Sequence, residues 1–222
     1  MSDRTSNLIG GISGLVSVLL FVVGLGVLAG TTPKLGASSD AVTTYVGRSN
    51  VETWTGAYLG LAGLLVYVVF ASRLWAILRR AEGDSAWLSA MALGAALVGV
   101  AVTLSADFTS GAAAFYAGRR GLDPATVGVL YDLKHFAELV FGAINAVFFA
   151  AVAVLVLGRR ALPRWLGWVA AVVVLGTLAT IPFGPGDISE LPHFLAVLWL
   201  VAVSVLLIAR RSTLRGAKAQ SP

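Results

Sequence analysis

Asp123-Pro-Ala-Thr-Val-Gly-Val-Leu-Tyr131-Asp-Leu-Lys-His135-Phe-Ala-Glu138-Leu-Val-Phe-Gly142-Ala-Ile-Asn145 opens a segment that runs to Arg159 with nothing to interrupt a helical pattern. Asp at the N-cap and Pro at the first helical position mark its start. At 1.5 Å per residue such a helix is about 54 Å long, against about 30 Å of hydrocarbon in a bilayer. Its first turns, which carry the ionisable residues, therefore project from a membrane or line a protein-walled cavity. The remainder is apolar enough to cross. That reading sets the fold class: all-α, a polytopic transmembrane helix bundle.

Composition agrees. Of 222 residues, 58% are hydrophobic and 12% charged, with a mean hydropathy of +0.87; soluble domains average about 25% charged. A net charge of +5 in a soluble chain would hint at nucleic acid. Here the basic residues sit in doublets at the ends of apolar runs, so the expected partner is the lipid bilayer and not nucleic acid. Cysteine is absent. That excludes disulfides, thiolate nucleophiles, Cys-ligated zinc and iron–sulfur clusters.

Outward from the long segment, apolar runs predict six spans at about 8–30, 57–78, 86–106, 135–157, 165–182 and 191–209, forming one domain over 1–211 with a basic tail at 212–222. The first run exceeds the core of a signal peptide, so it reads as a retained helix. Between the first two spans lies a polar loop, in which 39–47 reads as a short helix whose Val42, Tyr45 and Val46 rest on the bilayer surface. A second loop, after Asp107, carries Arg119 and Arg120. With the N-terminus in the cytoplasm, Arg4, Arg73, Arg79, Arg80, Arg159, Arg160, Arg164, Arg210, Arg211, Arg215 and Lys218 fall inside. Only Lys34, Arg48, Arg119, Arg120 and Lys134 fall outside. This asymmetry is the positive-inside pattern, with both termini cytoplasmic.

Ionisable residues at membrane depth raise a functional hypothesis by default. Counting about 20 residues from the inner basic anchors places Asp107, Glu138 and Glu190 at similar outer depth on three helices. On the long helix Tyr131, His135, Glu138, Gly142, Asn145 and Phe149 recur at spacings of four and three, one stripe facing the bundle interior. The expected binding pocket is therefore outward-facing, built from Tyr131, His135, Asn145, Glu190 and His193, and holds a small apolar or ionic ligand. Glu138 and Asp107 are the candidate catalytic acids. In an apolar pocket lined by Phe115, Tyr116, Phe136, Phe141 and Trp199, either carboxyl would have a raised pKa and could initiate isoprenoid cyclisation.

No cofactor is expected, but two alternatives carry definite ligands. Asp132-x-x-His135 and Glu190-x-x-His193, with Glu138, could form a carboxylate–imidazole metal site. His135 and His193 could ligate a haem. Gly11-Ile-Ser13-Gly14 matches the Gly-x-Ser-Gly of rhomboid proteases, but Ser13 and both histidines lie at opposite membrane faces, so a small-residue packing patch explains it better. Structural readings stand beside these. Asp187-x-x-Glu190 resembles a capping box, Lys134 and Glu138 are spaced to pair, and most tryptophans sit at run ends as an interface belt.

The order of Ala37-Ser-Ser-Asp-Ala-Val-Thr-Thr-Tyr45, Gly56-Ala-Tyr-Leu-Gly60, Leu78-Arg-Arg-Ala-Glu-Gly83, Asp123-Pro-Ala-Thr, Leu130-Tyr-Asp132 and Ala161-Leu-Pro-Arg-Trp-Leu-Gly167 resembles a group of uncharacterised six-span integral membrane proteins of actinobacteria. The resemblance implies a cell-membrane location and the six-helix layout, and no activity. Binding or passage of a small molecule, ion or lipid is the expected function. A membrane-embedded enzyme is the alternative, and a structural or partner-binding role comes third.

Overall fold

The computed structural model describes residues 2–28, 32–48, 51–180 and 187–209, without the side chains of 25, 27, 28, 106, 107 and 187–190. Among the described residues there is no strand. The helices are α1 (Asp3–Phe21), α2 (Ser39–Gly47), α3 (Val51–Glu82), α4 (Trp87–Val102), α5 (Thr109–Arg119), α6 (Pro124–Arg159), α7 (Arg164–Thr180) and α8 (Asp187–Ala209). A π-helical segment, Val22–Leu28, continues α1, and another, Thr103–Phe108, joins α4 to α5 without a break. Five stretches are long and apolar enough to cross a membrane: Asp3–Gly24, Val51–Glu82, Trp87–Arg119, Pro124–Arg159 and Leu191–Ala209. Arg164–Thr180 is a shorter apolar helix of 17 residues.

Neighbouring helices pack antiparallel around a closed ring: α1 on α3, α3 on α4, α4 on α6, α6 on α7, α7 on α8, and α8 back on α1. Glycines set the closest seams. A Cβ on Gly14 would lie 2.1 Å from Ser204 Oγ and 2.7 Å from Phe70, and one on Gly24 would lie 2.5 Å from the Gly56 carbonyl oxygen. Gly10, Gly11, Ser13, Gly14 and Ser17 form the buried stripe of α1: Gly10 and Gly14 lie against Arg73 and Phe70 of α3, Gly11 and Gly14 against Ser204 of α8, and Ser17 against Gly63 of α3. Small residues let backbones approach where lipid supplies no hydrophobic drive. The Gly-x-Ser-Gly patch is therefore a packing surface, and the Ser13 hydroxyl donates to the Gly10 carbonyl at 2.9 Å.

One end of the ring, called here the basic end, is tied by polar contacts. Arg73 of α3 donates to the Asn7 side-chain oxygen through Nε at 2.9 Å and Nη2 at 2.6 Å, while Arg80 pairs with Asp3 at 2.8 Å. Arg73 thus reaches towards the end of its helix, as a long basic side chain at membrane depth does. Glu82, 6% exposed, turns back over the next helix, its two oxygens accepting from the Leu88 and Ser89 amides at 2.9 and 2.8 Å. A carboxylate on these unpaired amides complements the helix dipole at the start of α4. Above this, Phe70, Leu74, Val152, Trp199 and Val203 fill the ring with a dry core, and the Trp199 indole donates to the Leu166 carbonyl at 2.9 Å.

Expectations for both loops and for the surface of the short helix are corrected. The loop expected after Asp107 is helical as far as Arg119, and α3 begins at Val51 within the expected polar loop. Packing explains the first: Ala114 and Ala117 are buried, and a Cβ on Gly118 would lie 2.4 Å from Val46. The third correction concerns Val42, Val46 and Tyr45, which do not rest on lipid. Both valines are fully buried in a cluster with Ala114, Ala117, Val127 and Tyr131, and Tyr45 packs against it. The start of α6 is as expected: the Asp123 carboxylate accepts from the Thr126 amide at 3.3 Å, with Pro124 at the first helical position.

Candidate functional site

The expected inward stripe on α6 separates into two environments. Towards its N-terminus, in what is called here the aromatic end, rings pack in a chain: His135 on Tyr131 at 5.4 Å and Tyr131 on Tyr45 at 5.8 Å edge to face, then Tyr45 on Phe115 at 5.7 Å and Phe115 on Trp54 at 5.8 Å in tilted contacts. Arg119 lies over the Trp54 ring at 5.5 Å. Burial pushes the Tyr45 hydroxyl above its ordinary pKa, and the nearby Lys134 charge pulls it partly back. His135 is 7% exposed, and its Nδ1 has no hydrogen-bond partner among the described residues.

The charged members of the stripe are held locally. Lys134 and Glu138 pair at 2.7 Å, with the Glu138 side chain 41% exposed. An Asp132 oxygen accepts from the Gly36 amide at 3.4 Å. Among the described residues no three His, Asp or Glu side chains converge as metal ligands. The two histidines meet different partners: His135 the edge of Tyr131, and His193 the face of Phe141. The side chains of Asp107 and Glu190 lie outside the described residues.

Two to three turns further along α6, the ring holds a half-open cavity of about 270 Å³, just under the usual small-molecule range of about 300–1,000 Å³. Its walls come from α1, the first π turn, α3, α4, α6 and α8. Phe148 and Phe149 line it and also pack on Trp199, with ring centroids 6.2 and 5.2 Å away, so the dry core closes its floor. Both π segments start beside it: Val22 lines it, and Gly99 and Val100 line it one turn before Thr103. Local π turns recur at functional sites because they re-aim side chains.

Among the described residues the lining holds no Asp, Glu, Lys or Arg. Its polar groups are Ser17, Tyr67, Asn145 and His193. Asn145 is fourteen residues from Arg159, about 21 Å along the helix and thus about two thirds of the way across a hydrocarbon core of about 30 Å. Its amide makes no hydrogen bond with another described side chain or backbone group. His193 stacks on Phe141, with centroids 6.2 Å apart and planes at 21°.

Of the residues expected to form a pocket, Asn145 and His193 share this cavity. Tyr131 and His135 belong to the aromatic end, and Glu138 stands with Lys134. The aromatics expected to line one pocket separate as well. Phe141 lines the cavity, Phe115 joins the aromatic end, Trp199 is core, and Tyr116 and Phe136 are exposed. Sequence reasoning passed over Ser17, Tyr67 and Gly99. Tyr67 carried a readable signal, a hydroxyl in the middle of an apolar span. No family model, curated protein or solved structure matches the chain.

Proposed function

We propose that this is a six-span membrane protein, with both termini cytoplasmic, that binds a small lipid-soluble molecule in the cavity beside Asn145. The observation that carries the reading is Asn145: an amide without a hydrogen-bond partner among the described residues, on the wall of an otherwise apolar cavity. Leaving such a group unsatisfied in a low-dielectric site costs about 1–3 kcal/mol. A ligand polar group would relieve that cost while its apolar part fills the space. The described lining residues carry no charge, which favours a neutral ligand over an ion. Glu138 stands outside the lining and is paired with Lys134, which favours binding over acid-initiated chemistry.

Orientation rests on the distribution of Lys and Arg, and the sixth span on α7, whose 17 residues meet the lower limit of about 17 for a crossing helix. A cell-membrane location rests on the resemblance to the six-span actinobacterial group. The chain contains no cysteine, so a single introduced thiol reports unambiguously. Ser85→Cys should be protected from an impermeant maleimide in intact cells and Gly121→Cys labelled; the reverse pattern would invert the topology. Ala196→Cys, on the cavity wall, should react with N-ethylmaleimide faster after delipidation than before. Equal rates would count against an occupied cavity.

A further inference from the structure

The cavity's walls say more about its ligand than its volume does. Five of the lining residues carry six-membered aromatic rings, Phe21 from α1, Tyr67 from α3, and Phe141, Phe148 and Phe149 from α6, and His193 adds an imidazole. The imidazole lies nearly parallel to Phe141, so the two together present a flat, polarisable wall. Aromatic faces prefer offset-stacked or edge-on partners, and such pairs gain more than area burial alone. An acyl chain would use none of that geometry. The Asn145 amide and Tyr67 hydroxyl both offer donors to the same space, and a ring carbonyl is the acceptor that matches them. A carboxylate or phosphate head would have no cation among the lining residues to pair with.

We propose, resting on the binding function above, that the ligand is a neutral lipid-soluble compound with a planar carbonyl-bearing ring, of the quinone type, and that its ring lies among these aromatics with a carbonyl oxygen on the Asn145 amide. The inference concerns binding and specifies no redox step. The depth fits: the ring sits inside the hydrocarbon core, where a quinone freely partitions and a charged headgroup does not.

The test uses the full chain in nanodiscs and three probes, decylubiquinone, farnesol and palmitate, measured by equilibrium binding. Decylubiquinone should bind saturably, be displaced by the tail-less menadione, and outcompete both chain compounds. Asn145→Leu, nearly isosteric, should weaken it about tenfold through loss of one hydrogen bond, while Ala196→Phe, which fills the cavity, should abolish it. Both variants are checked for an unchanged elution profile and melting temperature. Farnesol or palmitate binding that Ala196→Phe removes, with no displacement by menadione, would overturn the ring assignment and leave the cavity function standing. Decylubiquinone binding unchanged in Asn145→Leu would overturn the assigned carbonyl contact. Binding of no probe, together with a wild-type melting temperature that none of them raises, would overturn both the ring assignment and the cavity function.

Discussion

At the basic end three polar side chains are attached to a second helix. Arg73 holds Asn7 of α1, Arg80 holds Asp3, and Glu82 caps α4. At the aromatic end the strongest ionic contact, Lys134 with Glu138, stays within one helix, and the cohesion comes from edge-on rings and two buried valines of α2. Between them, the ring of helices is full where Trp199 sits and hollow where Asn145 sits. The contrast separates a half with a filled core and polar ties between helices from a half whose spare volume and Asn145 amide can accept something else.

That contrast can be broken by substitution, and glycines give the largest effect. Gly14→Ala drives a Cβ into Ser204 and Phe70 and should destabilise by about 3 kcal/mol. Gly128→Ala, whose Cβ meets nothing closer than 3.5 Å, should instead stabilise by about 0.5–1 kcal/mol through helix propensity. Thermal unfolding in one detergent reads both, and equal losses would erase the distinction between the ends.

Next comes Arg73→Met, which leaves the Asn7 amide facing an apolar side chain and should cost about 2 kcal/mol. Glu82→Gln weakens the cap on α4 and should cost about 1 kcal/mol in the same assay. Lys134→Met, in an exposed pair within one helix, should cost only about 0.3 kcal/mol. A loss for Lys134→Met as large as that for Arg73→Met would show that the aromatic end also depends on ionic ties.

The helical, apolar character of the bundle was legible because long apolar runs are a one-dimensional signal, five of them long and apolar enough to cross a membrane among the described residues, and so was the start of α6 at Asp123-Pro124. The 39–47 helix was legible too, but not what it touches: Val42 and Val46 read as surface-seeking until α5 is seen to supply the alanines that bury them. The helix over Thr109–Arg119 was hidden because Gly- and Ala-rich sequence takes its conformation from tertiary contacts. On α6, spacing alone placed His135, Glu138 and Asn145 on one stripe. Spacing carries no information about depth or partners, which send His135 to the aromatic end, Glu138 to Lys134 and Asn145 to the cavity. Walls contributed by α1, α3 and α4 could not be read from the long helix at all.

Organic extraction and mass spectrometry of protein purified in one mild detergent test the central claim most directly. Wild type should carry a neutral lipid-soluble compound in near-stoichiometric amount, and Ala196→Phe, equally folded, should lack it. The same small-molecule content in both proteins would contradict a ligand bound at Asn145.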